Sequence, residues 1–358
     1  MEPSRKLNIL ICPLGWGLGH ASRDIPIIEL LQQQGHNVIV AADKSSITLV
    51  KQRFPGLKYI DFRSLRVRYT KGSSQLFPLL WVAVRLPFVN FSEHRKLKQL
   101  IGQHKVDMVI SDNRYGLWSN HVKTAIITHQ LRVIPPFPFK WTLKISQIII
   151  KKWLNRFDQV WVPDYSDERN IAGLLSRPNG LKNLNYIGIL SRFGSINFDA
   201  VLSGFQMVVI ASGPEPQRQI YIDITSKLAK KWLLSCLIVE GIPDNGSIPR
   251  NIDGIWYVGH LPDLQFALAV KNAQYLIFRG GYSTIMDMLT LGISGLMVPT
   301  PGQTEQEYLA HYLYRRGYFE TAHQGDLPNI DKNKIRAKSI NSAKLTAILK
   351  DIDLLVMR

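Results

Sequence analysis

Short, continuous apolar runs recur along the chain, and Pro, Gly or charged residues bound most of them. Such runs are typical of strands that are buried on both faces of a parallel sheet. The first run, LNILICP at 7–13, precedes a glycine loop and an apolar-periodic helix that stops at Gly35. A second run, HNVIVAAD at 36–43, completes a strand–helix–strand unit. Further strands of this unit are predicted at 106–111, 124–129 and 158–163.

The same alternation begins again near Phe205. Its predicted strands lie at 205–212, 233–241, 254–260, 273–278 and 295–299. A chain of 358 residues also exceeds what a single core usually supports. The pattern therefore predicts an α/β protein with two Rossmann-like domains whose parallel sheets face a cleft.

The boundaries of these domains follow from the gap between the two series of strands. The region 166–204 contains Pro178, Gly180 and Gly194, and it is predicted to connect the domains. The predicted division is an N-terminal domain at 1–165, the connection at 166–204, a C-terminal domain at 205–337 and a terminal helix at 338–358. We expect this last helix to return to the N-terminal domain.

The composition indicates an ordinary folded protein of the cytoplasm. The most apolar run, Phe77 to Phe91, has 15 residues and includes Arg85, whereas a spanning helix needs about 20 apolar residues. The N-terminus leads directly into a strand and a glycine loop, so no cleaved signal peptide is expected. Cys12 and Cys236 lie in predicted strands of different domains, and we expect both to be reduced core thiols.

Positive charge is concentrated in the first half of the chain. Residues 1–165 contain 24 Lys and Arg against 10 Asp and Glu, while residues 166–358 contain 20 against 17. The excess predicts an anionic partner for the N-terminal domain: a phosphate-bearing acceptor, an anionic membrane face or nucleic acid. No zinc, RNP-type or helix-turn-helix signature accompanies the charge, so nucleic acid is not the expected partner.

A glycine loop, GWGLGH at 15–20, lies between the first strand and the first helix, where backbone amides favour an anionic or polar ligand. Asp43 closes the second strand where a ribose-binding acid would lie, so an NAD-dependent oxidoreductase is one alternative. However, the third glycine of the dinucleotide fingerprint falls one residue early and His20 takes its place. A tight turn in which His20 satisfies loop carbonyls is the other alternative.

A second group of residues follows the strand at 273–278. Gly280 and Gly281 would let a diphosphate approach the next helix N-terminus, and Ser283 and Thr284 add hydroxyl donors. Asp287, one helical turn further on, can accept hydrogen bonds from vicinal ribose hydroxyls.

A polar loop at 301–307 would then bring amides and carboxylates towards a sugar. Diphosphate donors, a ribose acid and a sugar-reading loop together indicate a nucleotide-sugar site. A sugar epimerase or hydrolase could use the same pocket without an acceptor, and this alternative stays open from the residues alone.

The stretch FRGGYSTIMDMLTLGISGLMVPTPGQTEQEYLAHYL resembles the donor-binding region of glycosyltransferase family 28. GWGLGH, followed by a helix and Gly35, is similar to the opening motif of that family, whereas 60–200 matches only in strand order. The resemblance implies the GT-B architecture and an inverting transferase. It further implies a UDP-sugar donor, N-acetylglucosamine or a related hexose, and an acceptor hydroxyl on a lipid-linked or cell-envelope glycan.

The resemblance also implies roles for single residues. Asp287 stands where an acid binds ribose, and Gln306 and Glu307 stand where the family reads the donor sugar. Glu307 departs from the family's glutamine, so the identity of the sugar stays open. The donor-binding residues that we predict are Ser212, Gly213, Arg279, Gly280, Gly281, Ser283, Thr284, Asp287, Gln303, Gln306 and Glu307.

For the reaction, a base must remove the proton of the acceptor hydroxyl as it attacks the anomeric carbon. His20 is the predicted base, and Asp112 at the end of strand 106–111 is predicted to orient it, with a structural cap as the alternative for Asp112. The predicted acceptor-binding residues are Gly17, Gly19, His129 and Gln130, and a structural role is the alternative for His129 and Gln130.

Leaving-group charge would fall to the amides of residues 280–283 and to Arg279. The Asp-x-Asp triplet at 351–353 lies in the terminal segment, so no metal cofactor is expected.

The segment 141–157 places Trp141, Ile145, Ile148, Ile149 and Trp153 near one helical face, with lysines on the others. With the run 77–91 and the tract 63–71, it predicts a peripheral surface for an anionic membrane, on the inner face. An ordinary domain helix with solvated lysines is the alternative.

Overall fold

In a computed structural model of the chain, the described residues are 6–65, 70–72, 75–134, 143–178, 180–194, 204–340, 345 and 356. Nearly all of the terminal segment 338–358, including the acidic triplet 351–353, lies outside them. Lys338 and Ser339 form a short strand, so the predicted helix does not begin at 338. Apart from Ile340, Leu345 and Val356, the rest of that predicted helix falls on residues that are not described.

The first sheet has seven parallel strands in the order β3-β2-β1-β4-β5-β6-β7. They are β1 Asn8–Cys12, β2 Asn37–Ala42, β3 Lys58–Asp61, β4 Met108–Asp112, β5 Lys123–Ile127, β6 Gln159–Val162 and β7 Leu184–Tyr186. The helices between them are α1 Gly19–Gln33, α2 Lys44–Arg53, α3 Leu76–His104 and α4 Leu143–Leu154. The central strand residues are buried because helices cover both faces of the sheet.

The second sheet also has seven strands, in the order β10-β11-β9-β8-β12-β14-β15. These are β8 Met207–Ile210, β9 Cys236–Val239, β10 Arg250–Ile252, β11 Ile255–Val258, β12 Tyr275–Arg279, β14 Leu296–Val298 and β15 Glu320–Thr321. The helices are α5 Gln217–Lys231, α6 Asp263–Asn272, α7 Tyr282–Leu291 and α8 Thr304–Arg315, and β13 Ile293–Ser294 pairs with β16 Lys338–Ser339. Only β10, at the edge, pairs antiparallel to its neighbour in this sheet of described strands.

The predicted pair of parallel α/β domains is confirmed. Each strand that the apolar pattern predicts is present, whereas the pattern missed the short edge strands, whose residues are largely exposed. The first sheet extends to Tyr186 through the pairing of β7 with β6, which lies beyond the predicted domain boundary at 165. The division into domains otherwise stays a prediction.

Both cysteines are buried and are not bonded to each other. Burial raises the pKa of each thiol to about 12, which fits a core side chain and not a reactive nucleophile.

Candidate functional site

The candidate site is a cavity of about 270 Å³ between the two domains. Because the strands of each sheet are parallel, the loops after their carboxyl ends gather at one edge, and these two edges face each other. Residues from both predicted groups line the cavity: Gly17, Gly19, His20, His129 and Gln130 from the first domain, and Ser212, Gly213, Gly281, Ser283, Thr284, Asp287, Gln303 and Gln306 from the second.

His20 lies in the first turn of α1, and its Nδ1 is 3.0 Å from Oδ2 of Asp112 at the end of β4. The Asp112 side chain is fully buried, while His20 keeps 18% of its side chain exposed towards the cavity. Arg23, on the next turn of α1, donates to both carboxylate oxygens of Asp112, with Nε at 2.8 Å from Oδ2. The arrangement therefore brings a predicted base and its predicted acidic partner together beside a buried cation.

The charges around Asp112 decide its ionisation. Burial alone would raise the pKa of Asp112, but Arg23 and His20 outweigh burial and lower that pKa to about 2. Asp112 is consequently a carboxylate near neutral pH. An ionised acid at this place stabilises a protonated His20, as a general base requires after it has accepted a proton.

The second glycine turn connects β12 to α7, whose helix begins at Tyr282. Its N-terminal amides face the cavity, where a helix terminus attracts negative charge. Ser283 donates its hydroxyl to the carbonyl of Gly19 at 2.8 Å, so the glycine loops of the two domains are in direct contact. A Cβ atom on Gly19 would lie only 2.7 Å from Oγ of Ser283, which explains the need for glycine at position 19.

Asp287 lies one turn into α7 and lines the cavity. Its carboxylate accepts a hydrogen bond from Ser191 at 2.7 Å. Burial raises the pKa of Asp287 to about 7, although Arg192 and the Ser191 hydroxyl act in the opposite direction. The Asp287 carboxyl group is therefore partly protonated near neutral pH.

The polar loop before α8 is arranged differently from the prediction at one position. Glu307 is exposed and accepts the amide of Gly302 at 2.9 Å, so its carboxylate helps to cap the helix and does not line the cavity. Glu305, two residues earlier, lines the cavity instead, together with Gln303 and Gln306. The first turn of α8 directs only some of its side chains into the cleft, and the sequence does not predict whether Glu305 or Glu307 is among them.

Arg279, predicted to lie beside the leaving group, lines the cavity and is also bound within its own domain. Its guanidinium is buried over the ring of Tyr221, 4.0 Å from the centroid. It donates to the carbonyls of Gln217 and Pro299 and to the side chain of Gln324. These bonds give the side chain a structural role in its own domain, and its contact with a diphosphate stays a prediction.

His129 and Gln130, predicted to bind the acceptor, contact the donor side of the cleft. The ring of His129 stacks on Tyr282 with centroids 3.8 Å apart. Its Nε2 lies 2.7 Å from Oε1 of Glu305, and Gln130 donates to the other oxygen of the same carboxylate. The pair thus joins the first domain to the polar loop before α8 in the second.

Asp43 does not take the ribose role that an NAD-dependent oxidoreductase would require. Its Oδ2 accepts the hydroxyl of Ser64 at 2.6 Å, and Ser64 in turn accepts the amide of Gly15. A Cβ atom on Gly15 would lie 1.7 Å from the same oxygen. Asp43 therefore holds the first glycine loop in place, and the oxidoreductase alternative is not favoured.

Sequence reasoning missed several residues of this site, above all Arg23 and Glu305. Arg23 follows His20 by three residues on a helix, and this spacing places both side chains on one face. This spacing could have predicted that Arg23 lies beside His20 in the site. No comparable pattern marks Ser191 and Arg192, because both belong to the connection between the domains: Arg192 lines the cavity, and Ser191 binds Asp287.

The described residues contain neither a cluster of metal ligands nor a helix that could span a membrane. In the ranges that the structure covers, no three His, Cys, Asp or Glu side chains are grouped as metal ligands, and metal independence stays a prediction. No helix among the described residues combines the length and the apolar character that crossing a bilayer requires.

Comparison with known proteins agrees with this geometry. Residues 260–345 match the glycosyltransferase family 28 C-terminal domain. A glycosyltransferase of Methanosarcina acetivorans is 25% identical over 329 residues, which cover 87% of this chain and 84% of the relative. The UDP-N-acetylglucosamine–N-acetylmuramyl-(pentapeptide) pyrophosphoryl-undecaprenol N-acetylglucosamine transferase of Neisseria meningitidis is 21% identical over 305 residues, covering 82% and 78%.

Solved structures share the fold at low sequence identity. The spinosyn rhamnosyltransferase SpnG has a TM-score of 0.62 at 14% identity and covers 98% of this chain and 100% of its own. MurG of Acinetobacter baumannii has a TM-score of 0.55 at 14% identity, with 99% and 100% covered. The GT-B architecture is confirmed, the resemblance to family 28 is confirmed over the C-terminal domain, and the protein is a glycosyltransferase.

Proposed function

We propose that this glycosyltransferase moves N-acetylglucosamine or a related hexose from a UDP-sugar to an acceptor hydroxyl, with inversion and without a metal cofactor. The observation that carries the proposal is the position of His20, paired with Asp112, directly across the cleft from the glycine turn and Asp287. A base on one wall and a diphosphate and ribose site on the other suit attack on an anomeric carbon held between them.

The donor is expected to bind along the C-terminal wall. Its diphosphate would accept hydrogen bonds from the amides of residues 281–284 and from the loop at Ser212 and Gly213. Gly213 has a φ of 120°, a conformation that only glycine adopts without strain, and it lines the cavity beside Ser212. Asp287 would accept the ribose hydroxyls.

The sugar would lie towards Gln303, Glu305 and Gln306, which converge on the cavity from the start of α8. Gln306 already uses its carbonyl oxygen to accept the amide of Thr300 at 2.8 Å, which leaves its amide NH2 group for a ligand. In this pose the anomeric carbon would face His20.

His20 would take the proton of the acceptor hydroxyl as the new glycosidic bond forms and the bond to the diphosphate breaks. The carboxylate of Asp112 would stabilise the resulting imidazolium, and the amides at the N-terminus of α7 would stabilise the departing diphosphate. No step in this sequence requires a metal ion.

A second cavity, of about 490 Å³, opens beside the first and is proposed to receive the charged part of the acceptor at its basic end. It shares Trp16 and Gly213 with the donor cavity. Lys44 and Arg63 of the basic N-terminal domain line it together with Arg218 and the acids Asp43, Glu215 and Asp244. A phosphate-bearing, lipid-linked acceptor would place its charge there. The name of the Neisseria relative specifies an undecaprenol-linked acceptor, and this agrees with the proposed class.

The first test is a thermal-shift panel of nucleoside diphosphates, nucleotide sugars and NADH. We expect UDP and UDP-N-acetylglucosamine to raise Tm by several degrees at saturating concentration. Asp287→Asn should lose most of that shift, whereas the exposed control Glu307→Gln should keep it. A shift by NADH and none by uridine nucleotides would overturn the proposal, and isomer or free sugar formed from the donor alone would favour the epimerase or hydrolase.

The N-terminal domain is also proposed to rest on an anionic membrane surface, at the inner, cytoplasmic face. On α3, Trp81, Val84, Phe88 and Phe91 are exposed at spacings of three and four residues, and Phe88 is 74% exposed. Ile148 on α4 is 68% exposed. Trp141 and residues 66–69 of the predicted surface lie outside the described residues.

Cations accompany this apolar face, as binding to anionic lipid requires. Arg85 is exposed and lies over the ring of Trp81 at 4.3 Å, and Lys144 and Lys152 are exposed on α4. We expect co-sedimentation with phosphatidylglycerol vesicles at low salt, reduced at least about tenfold in Trp81→Ser/Phe88→Ser. Ile248→Ser, at an exposed site of the C-terminal domain, is the control. Full recovery of the wild type in the supernatant would contradict the proposal.

A further inference from the structure

Asp24 is an acid beside the candidate base that the proposed reaction does not use. It lies on α1, four residues after His20 and next to Arg23, and its side chain is fully buried. That spacing places Asp24 on the same helical face as His20, towards β4.

The surroundings of Asp24 are unusual for a carboxylate. Within the part of the chain that the structure describes, neither of its oxygens accepts a hydrogen bond from a donor. Its side chain contacts that of Asp112, and Arg23 and Cys12 are the other ionisable groups near it. Two buried carboxylates in contact cannot both stay ionised at low cost, and Asp112 has Arg23 and His20 to hold its charge.

We propose that Asp24 carries a proton at neutral pH and donates it in a hydrogen bond to Asp112, so that Asp24 is a positioning residue for the Asp112–His20 pair. Asp112 then has three partners: His20, Arg23 and the Asp24 hydroxyl. These fix its carboxylate from three directions and keep one oxygen directed at the imidazole. The inference deepens the proposed function, since it rests on His20 as the base.

The protonation state can be measured without any substrate. The infrared spectrum of the wild type at pH 7 should contain the C=O stretching band of a buried carboxylic acid that is missing from Asp24→Asn. Subtracting the two spectra removes the bands of all other carboxyl groups. The subtraction should give no such band for Asp326→Asn, the control at an exposed acid.

Stability gives an independent readout of the same proton. Burial and the charge of Asp112 raise the pKa of Asp24 well above its ordinary value. The folded protein then keeps a proton that the unfolded chain releases above about pH 4, so this group lowers stability as pH rises. The difference in Tm between Asp24→Asn and the wild type should therefore increase in favour of the variant between pH 5 and pH 8. The corresponding difference for Asp326→Asn should stay constant.

The positioning role is tested by two variants with the same number of side-chain heavy atoms as Asp24, one apolar and one able to donate a hydrogen bond. Asp24→Leu removes the donor to Asp112. We expect kcat for acceptor-dependent release of UDP from UDP-N-acetylglucosamine to fall about tenfold, as for one lost hydrogen bond to a charged group, with KM unchanged. Asp24→Asn supplies an amide donor and should recover most of that kcat. A purely structural Asp24 would give equal kcat in both variants once they are folded.

The outcomes separate this inference from the proposed function. If the wild type has no transferase activity, the function fails, whereas the infrared band and the Tm gap still report on the proton of Asp24. An absent band together with a flat Tm gap would overturn the inference, even if the enzyme is a UDP-sugar transferase.

Discussion

The ionisation of Asp287 should control how tightly the protein binds a nucleotide sugar. Its carboxylate is buried in the donor wall, and burial raises its pKa to about 7. The ionised form accepts hydrogen bonds on both oxygens and more strongly than the protonated acid, so two ribose hydroxyls would bind it better. We therefore expect the Kd for UDP-N-acetylglucosamine to decrease as pH rises through 7.

The size of the effect follows from the position of this pKa. With a pKa of about 7, roughly 10% of the acid is ionised at pH 6 and roughly 90% at pH 8, so Kd should improve about tenfold across that range. Ionisation of Asp287 has the opposite effect on the folding stability of the protein without a donor, which decreases as pH rises. The unfolded chain releases this proton near pH 4 and the folded protein near pH 7, so stability falls by up to about 4 kcal/mol between these pH values.

The assay is calorimetric titration with UDP-N-acetylglucosamine at pH 6, 7 and 8. The sugar-linked diphosphate is the better probe than UDP, because a terminal phosphate has its own pKa near 6. Asp287→Asn should bind weakly at all three pH values and should be more stable than the wild type at pH 8. An affinity that does not depend on pH, or an equal pH dependence in Asp287→Asn, would refute the assignment of Asp287 to the ribose.

Three further predictions concern the rest of the site. His20→Ala should lower kcat by about 10²–10⁴ with little change in donor Kd, because a general base acts in the transition state; steady-state kinetics and titration separate the two quantities. Glu305→Gln should raise the KM for the donor, because it weakens the contact between the sugar-reading loop and the N-terminal domain, whereas Glu307→Gln, on the exposed side of α8, should not. Arg279→Leu should lower the free energy of unfolding by about 3 kcal/mol in urea titrations, since three buried acceptors lose their donor; unchanged stability with lost UDP binding would restore its predicted diphosphate role.

The sequence predicted those parts of the fold and site that follow from local pattern. Strands such as 7–13 and 205–212 are continuous apolar runs because helices cover both faces of the sheet, and such runs are visible without tertiary information. The glycine turns at 15–20 and 280–281 lie at the ends of these strands, so their meeting in one cleft followed from the parallel topology.

The orientation of side chains on short helical turns could not be predicted in the same way. Glu305 and Glu307 are two residues apart at the start of α8, and only the docking of that helix against Gln130 decides which one faces the cleft. Arg279 follows the last apolar residue of β12, where either the cavity or the domain interior could receive its side chain. The acceptors that Gln217 and Gln324 provide inside the domain come from distant parts of the chain.

The contacts between the domains suggest why the base and the donor wall work together. Arg23 holds Asp112 and also places Nη1 3.5 Å from Nδ1 of His129, whose Nε2 faces Glu305 at 2.7 Å. A neutral His129 fits this chain of contacts, because Nδ1 then receives the guanidinium and the Nε2 proton is donated to the carboxylate. Burial lowers the pKa of His129 and so favours that neutral form.

Glu305 is kept ionised by the same neighbours. Burial would raise its pKa, but His129, His20 and Arg23 together lower it. Protonation of His129 would turn Nδ1 into a second donor facing the Arg23 guanidinium, which the contact could not tolerate. Opening the cleft would separate Glu305 from His129 and leave that ring facing the Arg23 guanidinium. The contact of His129 with Glu305 therefore requires the two domains to lie against each other, which is the arrangement in which a donor on one wall would face His20 on the other.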